Sequence, residues 1–209
     1  MSILGNKYKL GLDLGSSFIK VCLPRRGKPV VLRVPTPEGA VSKGVLQNSE
    51  GISDYLRQWI KQNQFDAHQV VATLPASTLF LRHISLPKMK AKDTEEAVEW
   101  EARRVLPFPR EEAQLGWLLQ GTDTSAGAEM QEILLVAVRL AIVERYAQAI
   151  KDADLKLVAL DIAPMALKRW LLKNAQGASL IIDLGAESTQ MHFYTNTKLV
   201  FSRSLSLGG

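Results

Sequence analysis

The chain has a single cysteine, Cys22. A lone thiol cannot close an intrachain disulfide, so nothing points to an oxidising compartment. Cys22 falls inside a strand-like run and reads as a small buried hydrophobe. No apolar run approaches the roughly 18–20 residues that span a bilayer. The stretch Met1 to Lys9 lacks the apolar core of a signal peptide. These absences predict a cytosolic chain with no direct membrane insertion, held at a membrane only through a partner. The three histidines, His68, His83 and His192, are too widely spaced for a metal-ligand pattern; His83 and His192 fall in strands and read as structural. Basic residues are scattered. The net charge of +5 is mild, and the tight cluster Arg25-Arg26 with Lys28 suits a polar turn. A nucleic-acid partner is therefore not expected. Neither a Walker motif nor Gly-x-Gly-x-x-Gly occurs, so P-loop and Rossmann chemistry are unsupported.

Hydrophobic content of 46% and charged content of 22% are ordinary for a globular protein, and 209 residues suffice for one large or two small domains. Strands are predicted at 8–14 and 18–24 around the turn Gly15-Ser16-Ser17. A second turn at Pro24 to Gly27 leads to a third strand at 29–34, and a loop then runs to about Gly44. A helix over 50–63 carries the stripe Ile52, Tyr55, Leu56, Trp59 and Ile60. A buried strand at 69–74 ends at Pro75, and another occupies 78–86. Asp93 and Glu96 predict a capping box opening the next helix, with Val98, Ala102 and Val105 as its stripe and Pro107-Phe108-Pro109 as its stop. Strands at 114–120 and 130–138 follow, the second apolar on both faces. A helix at 141–152 and a strand at 155–161 lead to a helix with Pro164 at its first position. Leu167, Trp170 and Leu171 are expected on its buried side. The last strands are 178–184, 189–195 and 198–205. Residues 78–154 thus form an inserted β-α-β-β-α unit, flanked by one domain (1–77 and 155–175) and by the start of another (178–209). Trp100 and Trp117, in the inserted unit, are expected in its core, with lining of a peptide groove as the alternative.

One pattern occurs twice. Leu12-Asp13-Leu14-Gly15-Ser16-Ser17 and Ile182-Asp183-Leu184-Gly185-Ala186-Glu187-Ser188 each join two strand-like runs. A tight turn with glycine and hydroxyls presents backbone N–H groups to an anion. Asp13 and Asp183 could hold Mg²⁺ through its water shell. Ser16, Ser17 and Ser188 offer hydroxyls. Lys20 offers a charge, or is merely a solvent-facing strand residue. Two such hairpins facing each other would clamp nucleotide phosphates; ordinary hairpin turns are the alternative.

These loops resemble those of the superfamily of actin, the heat-shock ATPases and the sugar kinases. Further stretches resemble the PilM family of type IV pilus assembly within it: Leu74-Pro75-Ala76-Ser77, Arg82 to Met89, Glu95 to Ala102 leading into Leu106 to Pro109, Leu134 to Ala137, and Val158 to Ile162. The resemblance implies an α/β, actin-like (ribonuclease H-like) mixed sheet with an inserted α+β subdomain and an incomplete second lobe. It implies ATP with Mg²⁺ between the lobes, held by Asp13, Gly15, Ser16, Ser17, Asp183, Gly185 and Ala186, with Lys20, Asp161, Gly208 and Gly209 as further candidates. It implies a scaffold rather than an enzyme, at the inner face of the inner membrane. This scaffold would bind the cytoplasmic N-terminal peptide of PilN in a groove beside the inserted unit, one that strands such as 78–86 could form, and would connect indirectly to PilO and the pilus motor ATPase. Family members continue past Gly208-Gly209, so ATP binding by this chain is expected to be weak or absent, and strand 198–205 is an expected site of self-association. A sugar-kinase-like phosphotransferase with Asp161 as base, and the equivalent module of a competence, type II secretion or cell-division machine, are the alternatives.

Overall fold

The computed structural model of the protein describes residues 9–24, 28–63, 69–124 and 127–209. Of the turn expected at Pro24 to Gly27, Arg25 to Gly27 lie outside them, as does His68. Leu10–Leu14 (β1), Phe18–Leu23 (β2) and Val30–Pro35 (β3) form the predicted antiparallel meander. Next come Val41–Ser42 (β4) and Val45–Leu46 (β5), a small ladder that starts inside the stretch expected as loop and runs just past its end at Gly44. Its strands are too short for alternation to show in the sequence. Its turn residues, Lys43 and Gly44, have φ of 49° and 75°, as a two-residue hairpin requires. Helix α1 (Ser49–Gln62) is capped by Asn48, whose side chain accepts the Gly51 N–H at 2.9 Å.

Gln69–Leu74 (β6) runs parallel to β1, and Lys156–Ile162 (β10) parallel to β6, giving the sheet order β10-β6-β1-β2-β3. One face of this sheet packs Leu10, Leu12, Val70 and Ala72 against Ile52 and Leu56 of α1 and against Tyr146 and Ile150 of α3 (Leu140–Asp152).

Within the stretch expected as an inserted unit, Leu79–Pro87 (β7), Ala113–Asp123 (β8) and Met130–Arg139 (β9) form a sheet of order β7-β9-β8 with α2 (Ala91–Val105) beside it, whereas α3, expected in the same unit, packs on the first sheet. The predicted capping box is corrected: Lys90 is the N-cap and makes no side-chain cap bond. The buried Thr94 donates its N–H and its hydroxyl to the Lys90 carbonyl, at 2.9 and 3.1 Å, which draws the helix start upstream and leaves Asp93 within the first turn. Alternate residues of β9 serve two cores, as its unbroken apolar run predicts. Ile133 and Leu135 pack with Val98 and Ala102 of α2, whereas Leu134 and Val136 face a third cluster.

That third cluster contains Met165 of α4 (Ala163–Leu171), and Tyr194 and Leu199 of the last sheet. The last sheet is β11-β12-β13, Ala178–Leu184, Thr189–Thr195 and Lys198–Leu205, with the expected bounds. Here α4 departs from expectation: Trp170 is 75% exposed and Leu171 48%. Its anchored part is the first turn, where Pro164 and Met165 are buried and Tyr194 donates its hydroxyl to the Pro164 carbonyl at 2.6 Å. Trp100 and Trp117 are likewise exposed rather than core; Arg104 stacks on the Trp100 ring. Among the described residues no helix is long and apolar enough to cross a membrane.

Candidate functional site: a cleft between two matching turns

The repeated motif folds twice into the same turn. Gly15 N–H donates to the Phe18 carbonyl at 3.2 Å, and Gly185 N–H to the Ser188 carbonyl at 3.0 Å. A Cβ at either glycine would lie 2.8 Å from that same carbonyl oxygen, so the turn excludes any larger residue. Asp13 pairs across the ladder with Lys20, and Asp183 with Gln190, at equivalent positions. The two turns then diverge in their supports. Thr36 holds the first, donating its hydroxyl to the Gly15 carbonyl at 2.6 Å. The second is held by the final residues: Thr189 donates to the Leu207 carbonyl at 2.7 Å, and Gly209 N–H to the Gly185 carbonyl at 3.1 Å. A Cβ on Gly208 would collide with the Ala186 carbonyl at 1.9 Å, so that glycine is needed for the close approach.

The turns face each other across a cleft of about 520 Å³. Of the residues singled out from the sequence, Asp13, Gly15, Ser16, Ser17, Lys20, Asp183, Gly185, Ala186, Ser188 and Gly209 line it. Lys20 is ion-paired with Asp13 at 2.7 Å. The first jaw thus carries a charge pair where the second carries Asp183 opposite a neutral glutamine. Asp161 does not line the cleft. Its carboxylate accepts the Ile162 N–H at 2.8 Å and is ion-paired with Arg169, so it secures the junction of β10 and α4.

Asp13 and Asp183 stand on opposite jaws, a donor set suited to Mg²⁺ held through water on a polyphosphate. No group of three or more His, Cys, Asp or Glu capable of direct metal ligation occurs among the described residues.

Two features of the cleft were not singled out from the sequence. Gly44 of the β4-β5 turn forms part of its wall, and Glu187 reaches from the second turn to accept the Lys43 N–H. Gln190 also crosses, accepting the Ala76 N–H at 2.9 Å. Glutamate in a turn carries no sequence signal of a cross-cleft contact, because its partner Lys43 lies 144 positions away. His192, behind the second turn, is fully buried and bonds Ser202 at 2.8 Å; burial holds its pKa below the usual value.

A separate apolar groove of about 420 Å³ runs between β8 and β10, each an edge strand of its sheet. Leu115, Gly116, Val136 and Leu157 to Leu160 line it. The expected groove strand 78–86 lies on the other side of β9 and lines a different hollow, through His83, Ile84 and Ser85. Leu74 lines this groove and the adjoining Pro75 lines the cleft. The end of β6 therefore touches both.

Residues 11–209 match the family model for type IV pilus assembly protein PilM. No curated protein sequence matches the chain. Among solved structures it is similar to the PilM-PilN type IV pilus biogenesis complex, with 29% identity and a TM-score of 0.82 over 96% of this chain and 62% of that one. The chain therefore spans less than two thirds of that relative. It shares its fold with the cytoplasmic domain of EpsL, an inner-membrane component of the Vibrio cholerae type II secretion system (14% identity, TM-score 0.61, 96% of this chain and 71% of that one). The ethanolamine utilization protein EutJ of Carboxydothermus hydrogenoformans is also similar in fold (16%, 0.54, 100% and 55%).

Proposed function

The chain belongs to the PilM family of type IV pilus assembly proteins and has its actin-like fold, and on that premise we propose that it is a nucleotide-responsive adaptor rather than an enzyme. The cleft takes the phosphates of Mg-ATP. Backbone N–H groups of the two turns, with Ser16, Ser17 and Lys20, face the anion, and Asp13 and Asp183 hold the hydrated metal. The groove between β8 and β10 takes the cytoplasmic N-terminal peptide of PilN, added as a strand to an exposed edge with its apolar side chains in the groove. The protein thereby sits at the inner face of the inner membrane through its partner, and connects PilN and PilO to the pilus motor ATPase.

The observation that carries this reading is the end of β6, where Leu74 borders the groove and Pro75 the cleft. The test is calorimetry with the PilN N-terminal peptide, with and without Mg-ATP, on the wild type and on Gly116→Glu. A Cβ at Gly116 meets nothing within 4 Å, so the backbone there accepts a side chain and this variant brings a charge to the groove. Loss of peptide binding with an unchanged melting temperature is expected. Unchanged affinity in the variant would exclude this groove, and steady ATP turnover with a sugar acceptor would exclude the adaptor.

A further inference from the structure

Glu187 projects from the second turn across the cleft and meets donors of the first lobe. Its carboxylate accepts the Lys43 backbone N–H, and the hydroxyls of Ser16 and Ser42 stand beside it. One main-chain N–H and two hydroxyls are the equipment with which proteins hold a phosphate oxygen. The Lys43 N–H does not owe its position to Glu187. The Lys43-Gly44 turn is fixed from behind, where the fully buried Tyr146 donates to the Gly44 carbonyl at 3.2 Å and Ser77 to the Lys43 carbonyl at 3.1 Å. Gly44 also packs closely on the Pro75 ring. The donors further hold the Glu187 carboxyl below the usual carboxylate range, so it is an anion at neutral pH. Both Ser16 and Glu187 line the cleft that separates the jaws.

We propose that Lys43 N–H, Ser16 and Ser42 form an anion position at the edge of the cleft, filled by Glu187 in the ligand-free protein and contested by the terminal phosphate of a polyphosphate ligand. Glu187 is then an internal stand-in for phosphate. It latches the second turn to the β4-β5 hairpin until a ligand displaces it. This rests on the phosphate reading of the cleft given above.

The probe is inorganic tripolyphosphate with Mg²⁺, titrated calorimetrically into the wild type, Glu187→Gln and Glu187→Ala. Removing a competing surface anion should tighten binding by about tenfold in Glu187→Ala, with Glu187→Gln between. Amide exchange at Lys43, followed by NMR without ligand, should accelerate in Glu187→Ala and slow again on adding tripolyphosphate. Wild-type binding that Glu187→Ala leaves equal or weakens would overturn the latch alone, making Glu187 a spectator or a ligand. Absence of tripolyphosphate binding in every variant would overturn the phosphate reading and the latch with it.

Discussion

At the scale of single residues, the matching glycines show what a turn demands. A methyl group at Gly15 or Gly185 would press on a backbone carbonyl that has nowhere to go. Gly15→Ala and Gly185→Ala should each destabilise by about 1–3 kcal/mol, the usual cost of overpacking. Gly116→Ala, in open space, should stay within about 0.5 kcal/mol of wild type. Urea midpoints at constant slope would separate the two outcomes. Glu99 carries a pH dependence. Its two-pronged hydrogen bond from Arg110, at 2.7 and 2.9 Å, is the main cause of a pKa below the ordinary 4.5. A depressed carboxylate stabilises fully above its unfolded pKa and loses that contribution as pH falls through the folded one. Glu99→Gln should therefore flatten the acid limb of the stability profile below about pH 4.5 and leave its neutral shape intact. The repeated turn was legible because glycine, aspartate and serine recur at fixed offsets. The Arg110 partnership was not, since Glu99 also has Arg103 at i+4, in contact at 3.7 Å.

At the scale of elements, the two helices α1 and α2 differ at their starts. Asn48 caps α1 with its side chain, while Lys90 at the head of α2 offers none. Asn48→Ala should cost about 1 kcal/mol, and Lys90→Asp should gain about 0.5–1 kcal/mol by capping α2 and favouring the helix dipole. Thermal melts of both variants check the signs; a destabilised Lys90→Asp would mean that the Lys90 stem packs against something that matters. The strand bounds of β6, β11, β12 and β13 could be read from the sequence because their apolar runs end in turns. The α2 start could not, because Asp93 and Glu96 imitate a capping box while Thr94, a position later, fixes the true start through burial.

At the scale of the whole molecule, named polar contacts tie the last sheet to its neighbours. Tyr194 ties the last sheet to α4, and Gln120 both donates to and accepts from the Leu199 backbone, at 3.1 and 2.8 Å. Tyr194→Phe leaves the Pro164 carbonyl buried without its donor and should destabilise by about 1–3 kcal/mol, read as a lowered melting temperature. The cleft lining offers phosphate donors on both jaws, so ATP and inorganic tripolyphosphate should compete for these 209 residues at similar concentrations. A strong preference for ATP in a competition titration would mean that the base is also held.

The order of the longer strands and of the helices, and the pair of matching turns, were determined by the sequence itself. Each depends on local periodicity, on turn chemistry or on a repeated short pattern, and these act within a few residues. Only the tertiary structure decided which side chains meet across the cleft. Lys20 is tied to Asp13, Asp161 is drawn off to Arg169, and Glu187 finds the Lys43 turn. It also decided that Trp100, Trp117 and Trp170 face outward, because a helical or alternating stripe fixes which residues share a face but not which face another element covers.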